Sequence, residues 1–341
     1  MQGMATYITH RVLMMLVIVV GVASVTFVLS RVLPSSPAEL MLGGRPSAEQ
    51  IEAARKELGL DLSLWVQYRR YVGDIVQGNF GNSLQTGQPV RSEIAARIGA
   101  TFELTTISVF LVLLIGIPLG VLSAVRQNSL QDNVMRAAAV AGVAMPSFML
   151  AMILQMVFYG MLGWLPLQGR IDRLMALDTP VSPVTRLYLI DTLIAADWSA
   201  FLSALSHIIL PVATLTVLLL ATVVRITRNT MVEVLKEDYI RTAFAYGLPA
   251  RTVHYRYALK ATLIPMLTVV GLTYGHMLGG AVVVEHVFDW PGLGSFLVTS
   301  IIENDYPASI GTTIFLAAIY LFVNLVVDLL YYVVDPRLRT Q

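Results

Sequence analysis

The sequence predicts an all-α integral membrane protein: six transmembrane helices, with a helical subdomain in the first outer loop. Three observations carry this. Of the 341 residues, 56% are hydrophobic and only 13% are charged, with a mean hydropathy of +0.70. A soluble domain carries about 25% charged residues, so this chain has too few to cover a water-facing surface. Apolar runs near the roughly 20 residues needed to cross a bilayer recur six times. The arginines and lysines of the short connections fall on one side.

The six runs are 8–33, 100–125, 137–162, 205–224, 261–284 and 310–334. The first is not read as a cleaved signal peptide. Its apolar core, 12–29, exceeds the roughly 7–15 residues of such a segment, and Arg31 follows where small residues belong. Arg126 and Arg136 bracket the connection between spans two and three. Seven basic residues, from Arg225 to Lys260, fill the one between spans four and five, and Arg337 and Arg339 lie in the tail. The connection 285–309 has no lysine or arginine but carries Glu285, Asp289, Glu303 and Asp305. The positive-inside rule puts both termini and the loop at 225–260 in the cytoplasm.

Between spans one and two, Ser47-Ala-Glu-Gln50 is a capping-box pattern, and Gly59 is suited to end the helix it starts. Leu64, Trp65, Tyr68, Tyr71 and Ile75 then recur at helical spacing. Residues 1–99 therefore read as the first transmembrane helix plus an outer helical loop, and 100–341 as a five-helix core. In the second outer loop, 163–204, the stretch LYLIDTLIAADW suggests an interfacial helix.

Several chemistries are excluded or unsupported. With no cysteine there are no disulfides or thiolate metal sites. His10, His207, His254, His276 and His286 show no metal-ligand spacing, so no metal is expected, and no residue is assigned a catalytic role. No GxxxxGK[ST] loop is present to cradle ATP. Ionisable residues within the spans are few; Glu103, His276 and Asp328 are the candidates for a pathway role, since such groups mark proton or ion paths by default. Each also fits a position near a span end with a satisfying neighbour, which leaves a proton-coupled peptide carrier as the alternative function.

The segment EDYIRTAFAYGLPARTVHYRYALK spans 237–260, and a helical pattern runs into it from Asn229 to Ala245. Gly247 can take the left-handed conformation that closes a helix, and Pro249 suits the first turn of the next. Two short helices joined at Gly247 are expected, with Ala243 and Ala245 small enough to admit another protein's surface. A lipid-facing amphipathic loop fits the same residues. Pro146, Pro211 and Pro265 are expected to interrupt their spans. The turn-rich DWPGLG, with Trp290, Pro291, Gly292 and Gly294, is a candidate cap for the outer mouth of a pathway or a plain re-entrant connection.

EDYIRTAFAYGLP resembles the cytoplasmic coupling motif of ABC-importer permeases of the dipeptide/oligopeptide branch, in which Arg-Thr-Ala, three residues and Gly replace Glu-Ala-Ala. Arg241, Thr242, Ala243 and Gly247 match. Phe244 stands where a basic residue is common, and the later Leu-Pro is absent at its usual offset. GNFGNSLQTGQPV (78–90), IGIPLGVLSAVR (115–126), AMPSF (144–148, with Pro146, Ser147 and Phe148), VFDWPGLG (287–294), DYP (305–307) and VDLLYYVVDPRLR (327–339) are similar to the same family, in order. The resemblance implies a permease subunit of an ATP-driven importer for dipeptides or short oligopeptides in the bacterial inner membrane, closest to dipeptide permeases. Its implied partners are a second related permease, two cytoplasmic ATPases that carry the ATP and Mg, and an extracytoplasmic peptide-binding protein. Arg241, Thr242, Ala243, Ala245 and Gly247 would couple to the ATPases, and Pro146, Ser147 and Phe148 would kink the pathway. This chain would itself bind no cofactor.

Overall fold

The computed structural model describes residues 2–32, 47–57, 61–178 and 181–334. Gly59 and the tail arginines lie outside them, as does the His276 side chain. The described residues are helical almost throughout and fall into two compact units, residues 1–98 with 292–321, and residues 99–291 with 322–341.

In the first unit, α1 (Gln2–Val32) packs on α3 (Leu64–Val76), and α2 (Ala48–Glu57) lies between them in sequence. Phe27 contacts the rings of Tyr68 and Tyr71, whose hydroxyls meet Ser24 (2.7 Å) and Thr26 (2.9 Å). The aromatic stripe of α3 thus lies on the first span. The capping box forms: Ser47 N–H donates to Gln50 Oε1 (2.9 Å), and Gln50 N–H donates to Ser47 Oγ (3.3 Å). A turn-rich loop leads into α4 (Val90–Val125). Its Ser83 hydroxyl donates to Asp305 (2.5 Å), and Asp305 also accepts from Ala308 N–H (3.1 Å) at the start of the last helix. Around it Val90, Ile94, Leu293, Ala308 and Leu316 form the unit's core.

The second unit is built on α4, α5 (Leu130–Ala144), α6 (Ser147–Leu154, continued by a π-helical stretch Gln155–Met161) and the long α9 (Trp198–Val234). Two short helices, α7 (Arg173–Asp178) and α8 (Tyr188–Ile194), precede α9. The LYLIDTLIAADW stretch is therefore helical over α8, and Asp197 caps α9 by accepting from Ala200 N–H (3.0 Å). After α9 come α10 (Asp238–Ala245), α11 (Ala250–Thr252), a second π stretch (Val253–Ala258), α12 (Leu259–Gly280) and α13 (Val282–Val287). Then follow α14 (Leu293–Ile302) and α15 (Tyr306–Val334), which belong to the first unit up to Leu321.

Among the described residues, four helices are long and apolar enough to cross a membrane: Thr9–Val28, Val90–Val125, Trp198–Val234 and Tyr306–Leu329. The run 137–162 is divided. Met145 takes an extended conformation (ψ 124°) and Pro146 caps the next helix, as steric conflict before proline requires. The π stretch behind it holds Gln155, whose amide donates to Leu167 O (3.0 Å) and Val287 O (3.2 Å).

One expectation needs correction. Pro211 does not break its helix, because α9 runs through it. The Pro265 side chain lies outside the described residues. At Pro211 the lost ladder bond is offset by burial, with Leu210, Pro211 and Val212 all packed inside. The connection 285–309 contains α14.

Candidate functional site

The 225–260 connection is set by where apolar side chains fall. α9 continues to Val234, so residues 229–234 extend the membrane helix rather than start a short one. After a turn at 235–237, α10 buries Ile240 (0% exposed) and Ala243 (6%) against Met231, Val253 and Ala258. The spacing of three puts both on one helical face. Tyr239, Arg241, Thr242, Phe244, Ala245 and Tyr246 are exposed, Tyr246 to 83%.

Gly247 closes α10 as its sequence suggested. Its φ is +74°, Leu248 N–H donates to Ala243 O (3.2 Å), and Gly247 N–H donates to Phe244 O (2.9 Å). These two bonds are the Schellman pattern. Pro249 then caps α11. The second short helix does not stand alone, because α11, the π stretch and α12 follow without a break from Ala250 to Gly280. Ala243 is small because it faces the core, whereas Ala245 is exposed. Phe244 meets His254 edge-on (6.0 Å between centroids), and burial lowers the His254 pKa.

Beside this segment sits a cluster that periodicity did not reveal. Asp132, in the first turn of α5, accepts from Arg228 on α9, from the Ser123 hydroxyl (2.5 Å) and from Asn128 N–H (2.9 Å). The hydrogen bond from Arg228 holds its carboxyl well below the usual carboxylate range, and the Ser123 and Asn128 bonds add to it against the opposing effect of burial. One local signal was present: Ser129-Leu-Gln-Asp132 has capping-box spacing, and Asp132 N–H donates to Ser129 Oγ (3.2 Å).

At the other end of this unit, Glu103 pairs with Arg170 and accepts from Leu189 N–H (2.7 Å). Asp191 is buried. Desolvation pushes its carboxyl up, but the Thr185 hydroxyl and amide and the Arg186 amide outweigh it and hold the pKa low. Glu285 is fully buried and accepts from Thr101 (2.6 Å). Trp290 is 1% exposed and donates its indole N–H to Ala100 O (2.9 Å). Trp290 and Pro291 end the first segment of the second unit, and Gly292 and Gly294 begin a segment of the first, with Gly292 capping α14. Pro146 and Ser147 start α6, and Phe148 is exposed.

Residues 116–340 match the family described as "Binding-protein-dependent transport system inner membrane component", and 4–105 match its N-terminal family. The chain belongs to this family. It is 45% identical over 324 residues to the probable D,D-dipeptide transport system permease protein DdpB of Escherichia coli (strain K12), covering 95% of this chain and 94% of that protein. It is 39% identical over 339 residues to the dipeptide transport system permease protein DppB of Alkalihalophilus pseudofirmus, covering 98% and 100%. It is 36% identical over 336 residues to the glutathione transport system permease protein GsiC of Salmonella paratyphi A, covering 98% and 99%. As a binding-protein-dependent permease the chain is a multi-pass inner-membrane subunit of an ABC importer and not an enzyme.

Proposed function

We propose that this permease passes dipeptides or short oligopeptides through a pathway shared with a second, related permease chain. Its six spans comprise the four long helices, the divided 137–162 segment and α12. Both termini and the 225–260 connection are cytoplasmic, and α10 is the element on which an ATPase subunit bears. An extracytoplasmic binding protein delivers the peptide, and two ATPases carry ATP and Mg. ATP favours one arrangement of these partners, and the permease populations follow.

The observation that carries the coupling role is the two-sided character of α10. One face is locked into the permease by Ile240 and Ala243, while Arg241, Thr242 and Tyr246 stand outside, and Gly247 fixes where the helix stops. The peptide substrate is supported by the two relatives named for dipeptides. A proton-coupled carrier would need a membrane acid that titrates during transport, and Glu103 is engaged by Arg170.

The test is the reconstituted assembly with Arg241→Glu plus Tyr246→Ala. These variants should insert and melt like the wild type but lose peptide-stimulated ATP hydrolysis and uptake together. Wild-type stimulation in the double variant would remove α10 from the coupling role.

A further inference from the structure

Where α5 and α9 pack along one another, a cavity of about 500 Å³ opens, lined at its polar end by Arg136, Arg225, Arg228 and Asn229. Three guanidinium groups face it. Arg228 is neutralised by Asp132, and Arg136 reaches the same carboxylate only at 3.9 Å. Arg225 makes no ion pair among the described residues and is exposed. The polar end therefore carries an excess of positive charge.

A second cavity of about 200 Å³ adjoins it and shares Met135, Ala139, Ala221 and Val224 with the first. It continues past Gly142 and Val217 and is lined by apolar side chains. Together the two make a cleft with a cationic head and a narrow apolar tail. Arg136 immediately precedes the apolar run 137–162 and Arg225 immediately follows 205–224, so both stand at headgroup level while the groove runs into the hydrocarbon layer.

We infer that this cleft seats one anionic phospholipid, its phosphate held between Arg136 and Arg225 and one acyl chain along the groove beside Ala139 and Gly142. Guanidinium suits phosphate because its planar fork donates two parallel hydrogen bonds. The walls of the groove offer the chain an apolar lining, Leu119, Val217 and Leu220 beside Ala139 and Gly142. The lipid site requires only that the protein spans a bilayer and is independent of what it transports.

The full chain, purified in detergent, is titrated with phosphatidylglycerol, with phosphatidylcholine of the same acyl chains, and with inorganic phosphate, and bound species are counted by native mass spectrometry. Phosphatidylglycerol should be retained in preference to phosphatidylcholine. Arg136→Gln with Arg225→Gln should lower its affinity on the order of 25-fold, each cation near an anionic headgroup contributing about a factor of five. Arg136→Lys with Arg225→Lys should keep most of the preference, which guards against a loss through misfolding. Ala139→Phe should weaken lipid binding and leave binding of phosphate unchanged. Equal retention of the two lipids, or a Gln double variant that binds like the wild type, overturns the site. Inorganic phosphate competing as well as the lipid reduces it to an anion pocket and also overturns it. Displacement of the lipid by an added second permease chain would show a subunit interface instead.

Discussion

Asp132 and Arg228 stand 96 residues apart in the chain and meet as a bidentate ion pair, Nε 2.6 Å from Oδ1 and Nη2 2.8 Å from Oδ2. The pair joins α5 to α9 with the Asp132 side chain wholly buried. Removing one partner strands a charge, which typically costs about 3–5 kcal/mol, whereas replacing both with apolar groups is far milder. Arg228→Ala should therefore lower the melting temperature of the purified permease much more than Asp132→Leu with Arg228→Met.

The same pair sets a pH dependence. The folded-state pKa of Asp132 is depressed, so its contribution is complete above the ordinary carboxylate value of 3.8 and is lost as pH falls through the lower folded value. The difference in thermal stability between the wild type and Asp132→Asn should hold constant from about pH 8 to about pH 5 and narrow only in stronger acid. A gap that closes near neutral pH would contradict the assignment.

Two alanines two residues apart should behave differently. Ala243 is buried against Ile240, Met231 and Val253, so Ala243→Trp overpacks that core at a cost of about 1–3 kcal/mol or more. Ala245 is exposed, so Ala245→Trp should leave stability unchanged and reduce ATPase co-purification. Melting curves beside pull-down yields separate the two effects. Equal destabilisation by both would refute this placement.

At Gly247 no atom lies within 4 Å of an added Cβ, so the penalty comes from φ +74° alone. Gly247→Val should cost about 1–2 kcal/mol locally and tilt α10 relative to α11, whereas Gly247→Asn, which tolerates the left-handed region, should be close to neutral. Peptide-stimulated hydrolysis should fall for valine and persist for asparagine.

Orientation is testable with single cysteines, since the natural chain has none. Ser83 is a poor site because it is 2% exposed and bonded to Asp305. Gln88 and Arg251 are exposed. An impermeant maleimide added to intact cells should label Gln88→Cys and spare Arg251→Cys. The opposite pattern would reverse the topology.

What was legible in the sequence was local. The Ser47–Gln50 capping box, the Gly247 terminus and the Met145–Pro146 break each depend on residues within one or two turns, and each appears in the structure. Pro211 misled because proline's local cost can be overridden by packing that only the tertiary structure supplies. The Ser83–Asp305 and Asp132–Arg228 bonds bridge 222 and 96 residues, and no periodicity encodes such a pairing. The inward face of Ala243 was missed for a related reason. Helical spacing to Ile240 was available, but the surface that covers them is assembled from α9 and the second π stretch.

The unbroken path from Pro249 through α12 has a mechanical consequence. Leu259–Gly280 alone is 22 residues, about 33 Å of rod at 1.5 Å per residue. A rotation of roughly 5° about its near end displaces the far end by about 3 Å, nearly the width of a small side chain. The π stretch Val253–Ala258, with its altered hydrogen-bond register, lies at the base of that rod. On the proposed coupling role, a push received at α10 would arrive magnified at the far end of α12, and the six residues of the π stretch would set how much of it is delivered.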